Sequence, residues 1–75
     1  MNTDTLTPQQ KLDYAEAWRV LKLAEELWEQ RRKARGQEVL RDAQSLMFKM
    51  PREFTDADFE QQYERLYNQL YRGYA

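Results

Sequence analysis

Residues 31–36, Arg31-Arg32-Lys33-Ala34-Arg35-Gly36, decide how the first two thirds of this chain is read, as one long helix or as two. Basic residues in a last helical turn followed by glycine make an ordinary helix stop. The cations complement the negative end of the helix dipole, and glycine takes the left-handed conformation that closes the turn. The residues after Gly36, from Gln37 to Gln44, are helix formers with no turn-rich linker before them. An unbroken rod from Pro8 to about Lys49 is therefore the alternative, with its second apolar stripe offset from the first. Glycine is the commonest residue just past a helix end, so the break is placed at Gly36. This gives a first helix over about 8–35 and a second over about 37–49.

Upstream, Thr7-Pro8-Gln9-Gln10 supplies an N-cap threonine, a proline at the first helical position and a glutamine three residues after the cap. Tyr14, Ala17, Trp18, Leu21, Ala24, Leu27 and Trp28 then recur at helical spacing, with Glu and Lys on much of the other side. Val20 widens the stripe, while Leu12 and Leu23 fall near the opposite face. Residues 1–6, apolar only at Met1 and Leu6, read as a flexible lead segment before a single helical domain over 7–75.

Downstream, Val39, Ala43, Leu46, Met47 and Met50 define the second apolar stripe, and Pro51 ends it. Phe54-Thr55-Asp56-Ala57-Asp58-Phe59 opens a third helix over about 55–72. Thr55 is read as the N-cap, Asp56 and Asp58 as first-turn acids, and Phe54 and Phe59 as a hydrophobic staple. Gly73 ends the helix. Its apolar stripe is Phe59, Tyr63, Leu66 and Leu70, extended by Tyr74, and it is expected to pack on Trp18, Leu21 and Trp28. The fold class is all-α, a small helical bundle of two to three helices.

A chain of 75 residues makes one domain at most. At this size only about 60% of the surface of the unfolded chain is buried, and small folds compensate with disulfides, a metal or oligomerisation. Cysteine and histidine are both absent, which removes disulfides and the usual ligands of structural zinc. Self-association, as a homodimer, is the remedy left. A mean hydropathy of −1.05 reflects many Glu, Gln and Arg and not disorder, because the apolar positions are periodic. The net charge of −1 and pI near 5.4 lack the basic excess usual in nucleic-acid binders. No run of about 18 apolar residues is present, and the first residues lack the pattern of a signal peptide, so a cytoplasmic location is expected.

Catalysis has little to stand on. The single serine, Ser45, sits in a helical stretch with no adjacent base, and capping accounts for Asp56 and Asp58. The two glycines make no phosphate loop, and no cofactor or metal is expected. The tripeptide Leu70-Tyr71-Arg72 resembles the signature of small mitochondrial helical assembly factors, where it opens the first helix. Here it lies at the end of the last one, and no family is identified from it.

What remains is binding. Tyr67 and Tyr71 fall outside the buried stripe of the third helix and stand near Arg65 and Arg72, residue types that interfaces enrich. These four are the candidate anchors for a protein partner of unknown identity. The expected function is a non-enzymatic interaction module, a small regulator, inhibitor or adaptor of the kind that phages and plasmids encode. The second reading is a nucleic-acid accessory protein in which Arg31, Arg32, Lys33 and Arg35 of a dimer bind phosphate. The third is a structural subunit of a larger assembly. A helix-turn-helix reading is rejected, because the last helix carries Asp56, Asp58, Glu60 and Glu64, which repel phosphate.

Overall fold

The capping sequence at Thr7 forms as its residues dictate. The Thr7 hydroxyl accepts the Gln10 amide at 3.1 Å, and the Gln10 side chain accepts the Thr7 amide at 2.9 Å. With Pro8 at the first position, which has no amide to satisfy, the capping box meets two of the amides exposed at the helix start. A computed structural model describes residues 5–73, which form an all-α fold of three helices with no strand among them. Helix α1 spans Pro8–Glu29, α2 spans Lys33–Met47 and α3 spans Ala57–Tyr67, and a π-helical turn continues α3 over Asn68–Arg72. Residues 1–4 of the lead segment and Tyr74 lie outside the described residues, while Leu6 is buried.

The first helix does not reach Gly36. It closes at Gln30 with the two backbone bonds of a Schellman motif: the Arg32 amide donates to the Leu27 carbonyl at 2.8 Å, and the Arg31 amide to Trp28 at 2.9 Å. Arg31 is the left-handed residue of that motif, with φ at 63°. For a residue with a Cβ this conformation costs about 1–2 kcal/mol, which the two hydrogen bonds help to offset. The break expected at Gly36 is therefore corrected to Arg31, and the first two helices span 8–29 and 33–47 in place of 8–35 and 37–49.

Gly36 serves packing instead. It is buried within the first turns of α2, and a Cβ built on it would lie 2.9 Å from the Leu70 Cδ2 and 3.6 Å from the Ala24 carbonyl oxygen. Ala17 and Ala24 of α1 and Ala43 of α2 are likewise fully buried, so small residues on both helices let the hairpin close tightly. The Gln10 side chain reaches the Lys49 carbonyl at 3.4 Å, consistent with α1 and α2 running antiparallel. Leu40 is also fully buried, although it lies off the stripe expected from the sequence. It shares its phase with Gly36, Ala43 and Met47.

Helix α3 lies across this hairpin. Its N-cap is Asp56 and not Thr55: the carboxylate accepts the Phe59 amide at 3.2 Å and also the hydroxyl of Tyr14 from α1. Moving the cap by one residue takes Phe54 and Phe59 out of staple positions. Each packs edge-on against α1 instead, Phe54 on Tyr14 with ring centres 5.4 Å apart and Phe59 on Trp18 at 5.2 Å. Leu66 and Leu70 enter the core with Phe59, Trp28 packs against the same cluster, and Leu70 seats on Gly36 of α2.

Two substitutions test this account of the junction. Gly36→Ala forces a methyl against fully buried Leu70 and lowers unfolding stability by about 1–3 kcal/mol. Arg31→Gly relieves the left-handed residue and raises stability by about 0.5–1 kcal/mol after the extra flexibility of the unfolded chain is counted. Urea unfolding of both variants reads the two signs directly. With a break at Gly36, Arg31 would lie inside the helix and Arg31→Gly would instead lower stability by about 0.5–1 kcal/mol.

Candidate interaction surface

On the side of α3 that borders α2, every fourth residue is a tyrosine. Tyr63, Tyr67 and Tyr71 stack along the helix, with ring centres 6.3 Å apart for the first pair and 4.7 Å for the second, and near-parallel planes. The spacing of four places them one above another on the helix surface. Tyr63 is half-buried, while Tyr67 and Tyr71 are 39% and 40% exposed. The stack is thus a wet face of α3, distinct from the buried line of Phe59, Leu66 and Leu70.

Its lower end is held by α2. The Gln37 side-chain amide donates to the Leu70 carbonyl at 2.7 Å, satisfying a carbonyl near the helix end that has few partners available along its own helix. The Tyr71 hydroxyl donates back to the Gln37 carbonyl at 3.5 Å, a long contact that orients the ring more than it stabilises it. The π-turn ends at Gly73, whose φ of 75° is the left-handed closure expected there. Gln69 is buried beside Leu70 within this wider turn, and the sequence carries no signal for that burial.

The upper end opens into a groove of about 380 Å³ between α2 and α3, walled by Met47, Phe48, Phe54, Phe59 and Tyr63, with Glu60 and Glu64 at its edge. Phe48 is 77% exposed and was not among the residues singled out in the sequence. Its signal is its phase: it follows Gln37, Arg41 and Gln44 along the edge of α2 beside the core stripe.

The candidates fall into separate places. Tyr67, Tyr71 and Arg72 sit together at the end of the stack. Arg65 does not join them. It lines the other side of α3, in a groove against α1 with Trp18, Lys22, Glu25 and Asp58. Arg31, Arg32 and Lys33 form the turn and N-terminus of α2, and Arg35 pairs with Glu38 at 2.8 Å. A groove lined by Trp28, Glu29, Arg31, Lys33 and Gly73 brings the basic turn beside the end of the π-turn, with Glu29 among its cations. The expected explanation of this cluster, cations in the last turn of a helix, is overturned. Lys33 and Arg35 stand in the first turn of α2, where the dipole disfavours them and which holds no acidic residue of its own.

Among the described residues no group of three or more metal-ligating side chains is present, and no helix is long and apolar enough to cross a membrane. Compared with protein-family models, with curated proteins and with solved structures, the chain finds no match.

Two phenols resist ionisation. Burial pushes the Tyr63 hydroxyl above the usual tyrosine value, with the neighbouring Tyr71 and Tyr67 adding to it. Burial also raises Tyr14, and the hydrogen bond to Asp56 raises it further. The unfolded chain loses these protons near pH 10 and the folded chain only at higher pH, so in that window the unfolded state binds fewer protons. Stability is therefore unaffected by these groups below pH about 9 and falls as pH rises above about 10. Thermal melts against pH should show the fall, and Tyr63→Phe, which keeps the ring and removes the titrating group, should reduce it.

Proposed function

We propose that this chain is a non-enzymatic protein–protein interaction module, a small regulator, inhibitor or adaptor that acts in the cytoplasm by covering a surface of a partner protein and that works as a homodimer. The observation that carries the reading is the pair Tyr67 and Tyr71, stacked at 4.7 Å and each about two-fifths exposed. Stacked rings are already ordered, so burying them against a partner costs little further side-chain entropy. Tyrosine also suits such a surface, because its ring gains from burial while its hydroxyl can stay wet at the rim. Arg72 adds a cation at the end of the same stack. Arg65 belongs to the opposite groove and is no longer an anchor in this proposal.

Tyr71→Ala separates this reading from a structural role for the ring. Affinity capture from the native cell should lose its partner while the circular dichroism melt shifts by no more than about 1 kcal/mol in stability. A large loss of stability with capture retained would return Tyr71 to the core and remove the proposal.

A second reading, binding of nucleic-acid phosphates by Arg31, Arg32, Lys33 and Arg35, is favoured by one observation. These cations crowd the start of α2, where helix electrostatics give no reason for them. Gel-shift titrations across salt test it: retention with a steep salt dependence that is lost when the four are replaced by Gln supports it, and no retention at low salt excludes it.

A further inference from the structure

The exposed edge of α3 beside α2 carries Glu60, Glu64, Tyr67 and Tyr71 at spacings of four, three and four, so they form one line along the helix. All four are exposed, and neither glutamate has an ion pair among the described residues. Arg72, next after Tyr71 in the chain, is likewise exposed and without an ion pair among the described residues, and Gly73 lines a groove with Glu29, Arg31 and Lys33 of the turn. One continuous face therefore runs from an acidic end, across two stacked rings, to a basic end. A foreign partner would have to offer both charges in the reverse order. The chain itself already does.

Resting on the reading of the tyrosine face as a protein contact, we infer that its occupant is a second copy of this chain, packed face to face with the two α3 helices antiparallel about a two-fold axis near Tyr67. A two-fold axis perpendicular to the helices sets the face against its own copy with the order reversed, so a face with opposite charges at its ends is complementary to itself. The parallel arrangement would set acid on acid and base on base, which costs affinity. The register follows from helix geometry. Arg72 is five residues past Tyr67, and Glu64 and Glu60 are three and seven residues before it. At about 1.5 Å per residue, Arg72 of one copy lands between Glu60 and Glu64 of the other. The same register brings Tyr71 of one copy over Tyr63 of the other, at the mouth of the groove walled by Phe48 and Phe54. The aromatic rings then fill the centre and the ion pairs form the rim, the usual anatomy of a specific interface.

Sedimentation equilibrium on the full chain tests this with a charge exchange. The double variant Glu60→Arg/Glu64→Arg and the variant Arg72→Glu should each dimerise at least about tenfold more weakly than the parent, because each sets like charges together at both rims. Mixed in equal amounts, the two should recover a heterodimer of near-parental affinity, and adding Tyr67→Glu to both should abolish it. A parent chain that stays monomeric at about 1 mM overturns the inference. So does a dimer unmoved by either charge reversal, a mixture that fails to recover, or a mixed dimer that survives Tyr67→Glu. If the parent is monomeric and Tyr71→Ala still loses a captured protein, the interaction-module reading stands and only the second copy is removed. If the parent dimerises by another face and capture is indifferent to Tyr71, both fall.

Discussion

The contact between Leu70 and Gly36 is the constraint on which the rest of this molecule depends. Leu70 is fully buried, and the space it fills exists only because residue 36 has no Cβ. At that point α1, α2 and the end of α3 converge: the Ala24 carbonyl and Leu27 Cβ of α1 each lie 3.6 Å from where a Cβ at residue 36 would be. A chain this small has few such three-way contacts available, and a misfit of one methyl group is felt through the whole core. The Gln37 amide on the Leu70 carbonyl locks the same place from the polar side. With Leu70 seated, the π-turn sets the phase of the last residues, and Tyr71 is carried into line with Tyr67 and Tyr63 on the wet side.

That constraint also accounts for the position of the helix break. If the chain turned at Gly36, the glycine would be spent on backbone conformation and could not serve as the saddle for Leu70. The turn falls at Arg31 instead, a residue less suited to φ of 63°, and the two Schellman hydrogen bonds hold it there. The consequence for charge is direct. Lys33 and Arg35 become first-turn residues of α2, and Lys33 joins Arg31 and Glu29 in the groove at the end of the π-turn.

Much of this architecture was legible in the residues. The Thr7 capping box, the helical stripe through Ala17, Leu21, Ala24 and Leu27, and the wet position of Tyr67 and Tyr71 follow from local chemistry and periodicity. The errors share a cause. Glycine is read as a turn residue because its conformational freedom is a local property, whereas its lack of a side chain matters only against a neighbour distant in sequence, here Leu70. The one-residue shift of the α3 cap has the same origin. Thr55 and Asp56 are both good caps locally, and the choice is made by Tyr14, 42 residues away, whose hydroxyl needs the Asp56 carboxylate.

The site was legible in its tyrosines and not in its geometry, since neither the π-turn nor the separation of Arg65 from Arg72 has a local signature. The most direct test of the account is a solution NMR spectrum of the chain. It should show nuclear Overhauser contacts from the Leu70 methyls to the Gly36 Hα protons, and from the Tyr71 ring to Gln37. Helical contacts running continuously through residues 28–35, with none between Leu70 and Gly36, would contradict it.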